Sequence, residues 1–411
     1  MGQAEQRVVI IGFGTAAVNA LIGLRRAGYQ GRVTVLTDSD TLPVSPVLIS
    51  HYAGGTLPYE GVFPWTADEI AALGPDLRAG CPVLAIDPAA HEVRTEQGPV
   101  PYDKCLIATG NTPLLVGFPQ VEAGAFRTLR TLADAQALRD SLARPECRRA
   151  LVSGTSMVGL KALEACLDQG VQVTLLGRSE HILKRTAVPE LAARFEQALA
   201  DKGVTLRLGQ QAQDAARQAD GTVAVTFSTD GAQGETETFD EVVIAHGMVP
   251  NLGFVPRGSM QMDQGLLVDE WMRTSDPDVY AAGDVAQALD LSCGQKRIVA
   301  LWKTACLQGA CAGRAMAAEL AGQPLPKDAR YRGSLPSNTI AVGRTTLISG
   351  GRTDAGENST VELEEFEQGV TARICEQGRL VGFNVFAADA EPDGPVFDRG
   401  AMLRRQLLAG L

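Results

Sequence analysis

Four apolar residues in a row, Val8-Val9-Ile10-Ile11, run straight into Gly12-Phe13-Gly14-Thr15-Ala16-Ala17. Such a run bounded by glycine predicts a buried strand followed by a tight turn. Behind the turn Val18, Leu21, Ile22 and Leu24 recur at helical spacing, which predicts a helix over 17–27 with one apolar side. Residues 32–36 read as a second strand, closed by the acidic turn Thr37-Asp38-Ser39-Asp40, and residues 103–110 as another buried strand ending in Gly110. The pattern then restarts: Arg149-Ala150-Leu151-Val152 predicts a strand, Ser153-Gly154-Thr155-Ser156-Met157-Val158-Gly159 a turn, the stretch to Gln169 a helix and residues 171–176 the next strand. Residues 222–244 alternate as strands and end in Ala245-His246-Gly247. Tyr280-Ala281-Ala282-Gly283-Asp284 closes one more strand, and Gln323-Pro324-Leu325-Pro326 marks a linker before short strands with Gly, Asp and Asn turns.

This order predicts an α/β protein with two Rossmann-like dinucleotide-binding domains, the second inserted in the first, and a small C-terminal α+β interface domain. The expected boundaries are 1–114 with 243–322, 115–242, and 323–411.

The Gly12-x-Gly14-x-x-Ala17 turn sets a pyrophosphate against a helix N-terminus, with Thr15 and Ala16 opening the helix. Asp38, or failing it Asp40, stands where an adenosine ribose would meet a carboxylate. Asp284, after its own strand, is placed to accept a ribityl hydroxyl, and a helix N-cap role is compatible with that. The pair of motifs, in this order, points to FAD. In the second unit Gly154, Ser156, Met157, Val158 and Gly159 form the corresponding nicotinamide nucleotide turn, with Gly247 at the far strand. That unit's second strand ends Leu176-Gly177-Arg178-Ser179 without an acid, so Arg178 either accommodates a 2′-phosphate or sits in solvent.

Bulk properties narrow the class. The chain has 411 residues, 45% hydrophobic and 21% charged, and a formal charge of −11 with no basic patch, which argues against nucleic acid. No apolar run approaches the ~18 residues of a membrane span, and Met402–Leu408 reads as a packing or interface segment rather than a membrane foot. The apolar strand begins too early to leave room for a secretory signal. Eight scattered cysteines fit free thiols in a reducing cytoplasm. Cys306 and Cys311, five apart on a helical stretch, point away from one another and read as core thiols, and no cysteine run suits an iron–sulfur cluster.

Gly12-x-Gly14-x-x-Ala17, Ala108-Thr109-Gly110, the second glycine turn, Ala245-His246-Gly247-Met248-Val249-Pro250-Asn251 and Ala281-Ala282-Gly283-Asp284 together resemble the two-dinucleotide flavoproteins, FAD/NAD(P)-dependent pyridine nucleotide oxidoreductases that include ferredoxin, rubredoxin and disulfide reductases. The resemblance covers residues 7 to about 320. It implies FAD in the first domain and NAD(H) or NADP(H) in the inserted one. It also implies that Ser45 and Pro46 border the flavin, that Val83 meets the adenine through its backbone, and that Thr304 and Ala305 start a helix beneath the pyrimidine end of the ring. His51 aligns where the family often has a lysine near flavin N5, and Lys161 where it usually has glutamate. Residues 41–60 lack the redox cysteines of the disulfide reductases. Electrons are therefore expected to leave for an iron–sulfur or other one-electron carrier, with Trp302 either lining that exit or serving as core.

Segments 45–52 and 154–161 resemble flavin subunits of anaerobic electron-transfer complexes, NAD-linked 2-oxoacid (phenylglyoxylate) dehydrogenases among them. The resemblance implies a cytoplasmic oxidoreductase within a hetero-oligomer, by hydride transfer between nicotinamide C4 and flavin N5. The alternatives are a stand-alone ferredoxin or rubredoxin reductase or NAD(P)H oxidase, and a low-turnover flavin scaffold or redox sensor.

Overall fold

The computed structural model describes residues 6–115, 118, 125–353, 356 and 358–410. Its α-helices are α1 (Thr15–Arg26), α2 (Ile49–Ala53), α3 (Ala67–Ala72), α4 (Leu132–Leu142), α5 (Met157–Asp168), α6 (Pro189–Ala200), α7 (Trp302–Leu320) and α8 (Pro395–Ala409). The chain divides into two units, one holding the chain through Val47, Phe63–Thr112 and Val249–Ser334, the other Leu48–Val62, Pro113–Met248 and Leu335 onward.

In the first unit Arg7–Ile11 is the central strand of a parallel sheet ordered Val279–Ala281, Lys104–Ile107, Arg7–Ile11, Arg32–Leu36, Asp76–Arg78. Val8 to Ile11 are at most 2% exposed, as a parallel strand covered on both faces requires. α1 begins at Thr15, two residues earlier than its apolar spacing predicts. It crosses α7 closely: a Cβ at Gly309 or Gly313 would run into the carbonyl oxygens of Ala16 and Ala20. Two small-residue helix faces thus fix the start of α7 relative to the start of α1.

At the other end of the sheet Lys104, 9% exposed, donates to Asp278 at 2.8 Å and to Glu319. Burial pulls the ammonium pKa down, but the bonds to Asp278 and Glu319 outweigh it and hold it above the usual lysine range. Lys104→Ala would remove the cation shared by Asp278 and Glu319, leaving Glu319 with Arg273 at 3.2 Å, and is expected to cost about 1.5–3 kcal/mol, read as a lower urea midpoint at unchanged m-value.

The second unit carries a parallel sheet ordered Thr205–Leu208, Gln172–Gly177, Arg149–Ser153, Glu241–Ile244. The expected return to the first domain at residue 243 falls inside this last strand. Because Glu241–Ile244 pairs with Arg149–Ser153, the chain leaves the unit only after Met248. The boundary at 323 also moves, since Tyr331 donates its N–H to the Glu270 carbonyl at 2.7 Å and stays with the first unit.

Residues from 335 form a five-stranded antiparallel sheet ordered Ser337–Val342, Thr345–Gly351, Arg379–Ala387, Gly369–Glu376, Ser359–Phe366. It is grouped with the second unit rather than standing alone: Asn384 holds the Val188 N–H and the Thr186 carbonyl, both at 2.9 Å. α8, which contains the 402–408 segment, buries Leu403 and Leu407. No described helix is long and apolar enough to cross a membrane.

Candidate functional site

Each parallel sheet has a switch point where strand order reverses, and in each a glycine turn sits at the carboxyl edge of that point. In the first unit Gly12 adopts φ +99° and donates to the Leu36 carbonyl at 2.8 Å. A Cβ there would strike the carbonyl of Ala108, which leaves the neighbouring strand. The second unit repeats this. Gly154 has φ +123°, donates to Leu176 at 2.8 Å, and its Cβ would strike the carbonyl of Ala245. Only glycine fits either crossing.

The helices behind the turns are open at their starts. The first intrahelical bonds run from Val18 to Gly14 in α1 and from Leu160 to Ser156 in α5. The N–H groups of Thr15, Ala16 and Ala17, and of Met157, Val158 and Gly159, therefore have no intrahelical acceptor. Neither helix has a side-chain cap or an acid in its first turn, whereas α3 and α4 close theirs with the capping boxes Thr66–Glu69 and Thr131–Asp134. A Cβ at Gly14 would meet nothing within 4 Å. Open space at Gly14, donors without an intrahelical acceptor and a positive helix end together fit a pyrophosphate in the first unit, and the second unit shares the donors and the helix end. In the second unit a cavity lies alongside, lined by Leu129, Ser156, Val158, Ala245, Gly247 and Met248.

Asp284 stands at the mouth of the first sheet, its carboxylate accepting from Asn111 Nδ2 at 2.8 Å. The turn before it is fixed by Gly283, whose N–H donates to Gln308 Oε1 at 2.8 Å, with Gln308 only 1% exposed. A Cβ at Gly283 would lie 3.3 Å from that of Ala16 and 3.8 Å from that of Ala305, so three predicted site residues meet here. α7 starts uncapped at Trp302. Thr304 spends its hydroxyl on Ser334 at 3.0 Å and Ala305 donates to Leu301, so only the N–H groups of Trp302, Lys303 and Thr304 lack an intrahelical acceptor. Trp302 stacks on Trp65 with ring centroids 5.7 Å apart, both rings partly exposed. Asn111 and Trp65 carry no sequence motif because each acts across a long sequence separation, whereas Gln308 lies in the 301–309 stretch that resembles the family's helix start beneath the flavin.

Ala108-Thr109-Gly110 and Pro250-Asn251 turn out to be tied together: Thr109 Oγ1 donates to the Asn251 carbonyl at 2.7 Å and Asn251 Nδ2 to the Thr109 carbonyl at 3.1 Å. Asp38 and Asp40 are exposed in the turn after Arg32–Leu36. The segment leading to Val83 bonds to the same turn, Cys81 N–H reaching the Thr37 carbonyl at 2.7 Å, so Asp38 and Val83 belong to one corner. Ser45 is buried, Pro46 exposed. Gly247 follows the second unit's far strand, three residues past Ile244, with φ +112°, and beside it His246 Nε2 lies 2.8 Å from Ser153 Oγ.

The structure groups His51 with the second unit, not with the first domain as expected. The cause is a pair of long-range anchors: Arg139 Nη1 donates to the Tyr52 carbonyl at 2.6 Å and Gln169 Nε2 to that of Gly54 at 2.6 Å. Lys161 is tied down as well, donating to Glu164 at 2.7 Å and to the Ala341 carbonyl at 3.1 Å. Nearby, burial and then the Glu164 charge raise the Asp168 carboxyl above its usual range.

All eight cysteines are free thiols. Burial pushes Cys311 up to about 12 and Cys147 to about 11, and raises Cys306, so none of these is poised as a thiolate at neutral pH. Anaerobic reductive titration of the flavin-loaded protein is expected to end at two electrons per flavin; an endpoint of four would reveal a redox-active thiol pair.

Residues 6–309 match the family described as pyridine nucleotide-disulphide oxidoreductase. The chain is 30% identical to the NADH-dependent phenylglyoxylate dehydrogenase subunit epsilon of Aromatoleum evansii, over 98% of this chain and 92% of that protein. It is 32% identical to putidaredoxin reductase of Pseudomonas putida, over 69% of this chain and 68% of that one. Among solved structures it resembles the covalent putidaredoxin reductase–putidaredoxin complex with a TM-score of 0.83 and 25% identity, covering 98% of this chain and 94% of that one.

Proposed function

Since the chain belongs to the pyridine nucleotide-disulphide oxidoreductase family, we propose that it is an FAD-dependent NAD(P)(H) oxidoreductase subunit that exchanges electrons between a nicotinamide nucleotide and a one-electron iron–sulfur partner. The observation that carries this reading is the doubled glycine crossing, Gly12 on Ala108 and Gly154 on Ala245, each beside an uncapped helix start. FAD, when bound, supplies the conversion between a hydride and two single electrons. The first unit is assigned to FAD and the second to the nicotinamide nucleotide.

The chain's own contribution is binding and orientation. In the first unit the N–H groups of Thr15, Ala16 and Ala17 would receive the pyrophosphate, and Asp284, steadied by Asn111 and Gln308, the ribityl chain. Asp38 and the Val83 backbone would hold the adenosine end. The uncapped start of α7 would favour negative charge at the pyrimidine edge. In the second unit Met157, Val158 and Gly159 would take the other pyrophosphate. Trp302, stacked on Trp65, would border the route to the acceptor.

Likeness over nearly the full chain to a subunit of a phenylglyoxylate dehydrogenase supports a place in a 2-oxoacid dehydrogenase complex, with iron–sulfur chains as neighbours. Eight free thiols suit a reducing cytoplasm.

Anaerobic mixing of the flavin-loaded protein with NAD(P)H tests the reading. The flavin absorbance should bleach within seconds and a [2Fe–2S] ferredoxin added in excess should be reduced catalytically. Rapid turnover with oxygen but none with ferredoxin would instead mark a stand-alone oxidase, and bleaching over hours a scaffold or sensor.

A further inference from the structure

The C-terminal sheet takes hold of the glycine turn of its own unit from two sides. On one side it meets α5: Lys161 Nζ donates to the Ala341 carbonyl at 3.1 Å, and Gly343 N–H donates to Glu164 at 2.9 Å. On the other it meets the loop between Gly177 and α6, which opens with the exposed Arg178. Asn384, fully buried in the strand Arg379–Ala387, accepts from Val188 N–H and donates to the Thr186 carbonyl, both at 2.9 Å. Thr353 Oγ1 adds a bond to the Arg185 carbonyl at 3.0 Å.

The same loop reaches the turn. Leu183 N–H donates to the Thr155 carbonyl at 3.0 Å, and Thr155 lies between Gly154 and Ser156, the residue that precedes α5. A trans peptide is planar, so fixing that carbonyl also fixes the Ser156 N–H, which points the opposite way. Leu183 makes this bond from φ +53°, a left-handed backbone that leucine rarely adopts and that persists only where its surroundings impose it. Here the side chain is buried, and the Leu183 carbonyl accepts from Thr186 and Ala187 at 2.7 and 2.9 Å, within the stretch that Asn384 clamps.

We propose that Asn384 is a positioning residue for the nicotinamide nucleotide: by clamping Thr186 and Val188 it keeps Leu183 in its left-handed state, and through Leu183 it fixes the pyrophosphate turn at Thr155. The proposal rests on the reading of the second unit as the nicotinamide nucleotide unit. An amide suits this position because it satisfies one buried backbone donor and one buried backbone acceptor at once, which an apolar side chain does not. Without it the loop is free to relax Leu183 to an ordinary backbone. The Thr155 carbonyl then loses its partner, and the N–H groups at the start of α5 lose their aim. The contacts end at the pyrophosphate turn, so the effect falls on nucleotide affinity and spares the limiting rate.

Calorimetric titration of the flavin-loaded protein with ADP-ribose, which carries the pyrophosphate but no redox group, tests this. Asn384→Leu, similar in size, should weaken ADP-ribose about tenfold. In stopped flow it should raise the half-saturating NAD(P)H concentration by a similar factor, with the limiting rate of flavin bleaching within about twofold of the parent's. Thr353→Val should shift the affinity in the same direction by less. Thr345→Val controls for stability alone: Thr345 is buried in the same sheet, and its hydroxyl goes to the Ala388 carbonyl at 3.0 Å rather than to the loop. It should lower the melting temperature and keep the parent's affinity. Parent-like affinity in Asn384→Leu, or an equal loss in Thr345→Val, would overturn the proposal. If Asn384→Leu does not fold, Thr353→Val decides in its place, and parent-like affinity there would overturn it. Failure of the parent protein to bind ADP-ribose while FAD remains in place would overturn the assignment of the second unit itself.

Discussion

Gly159→Leu should leave the protein yellow but nearly unreactive toward NAD(P)H, with nucleotide binding weakened ~100-fold, equivalent to about 3 kcal/mol. The reason is a carbonyl rather than a ligand. A Cβ at Gly159 would land on the carbonyl oxygen of Gly154, inside the turn itself. To make room, the start of α5 would have to retreat from Arg149–Ser153 and carry with it the N–H groups of Met157, Val158 and Gly159. Each bond from these donors to a phosphate is worth about 1.5–3 kcal/mol, so displacing two accounts for the expected loss. The corresponding residue in the first unit is Ala17, fully buried, so α1 leaves its turn one methyl more space than α5 does. The first unit, to which FAD is assigned, has its own sheet and core and should retain its cofactor. Stopped-flow bleaching by NAD(P)H is the measurement, and a parent-like rate would refute the role assigned to Gly159. Gly159→Ala carries the same clash with a smaller side chain and should fall between the two.

The sequence showed most clearly those parts of the molecule whose contacts are local. Apolar runs placed Arg7–Ile11, Arg32–Leu36 and Arg149–Ser153 within a residue or so, because a buried parallel strand needs an unbroken apolar stretch. The glycine turns were legible for the same reason: positive φ and a carbonyl in contact leave one residue type. Division into units was harder to read, since it depends on which strand pairs with which. Glu241–Ile244 looks like any other apolar strand, and only its pairing with Arg149–Ser153 assigns it to the second unit. The same holds for His51, which follows α2 to Arg139 and Gln169, residues far along the chain. Lys161 stands where the resemblance expects an acid, and its bonds to Glu164 and Ala341 show it serving the junction between α5 and the C-terminal sheet. Within the unit assigned to FAD, Asn111 carries no motif, and the 301–309 resemblance that includes Gln308 does not reveal its contact; the two amides orient Gly283 N–H and the Asp284 carboxylate.

That arrangement sets the expectation for Asp284→Ala: FAD should be held ~10–100-fold more weakly, in line with about 1.5–3 kcal/mol for a hydrogen bond to a charged acceptor. Asp284 sits half-buried between the ends of two parallel strands, one leading to Gly110 and Asn111, the other to Gly283. Its carboxylate accepts from Asn111 Nδ2 at 2.8 Å, which fixes its direction, and a carboxylate can accept several hydrogen bonds at once. Alanine removes the acceptor and also frees the Asn111 amide, so loss of cofactor alone would not separate binding from local disorder. Asp284→Asn separates them. The amide keeps the shape and one acceptor oxygen but loses the charge, and should retain intermediate FAD affinity. Asn111→Ala keeps the charge and loses the orientation, and should weaken FAD less than Asp284→Ala does. Fluorescence titration of the flavin-free protein with FAD gives all three affinities on one scale. If Asp284→Ala binds FAD as tightly as the parent, the ribityl assignment is wrong, whatever the other two variants do. If Asn111→Ala proves as damaging as Asp284→Ala, the amide rather than the carboxylate is the group the cofactor depends on.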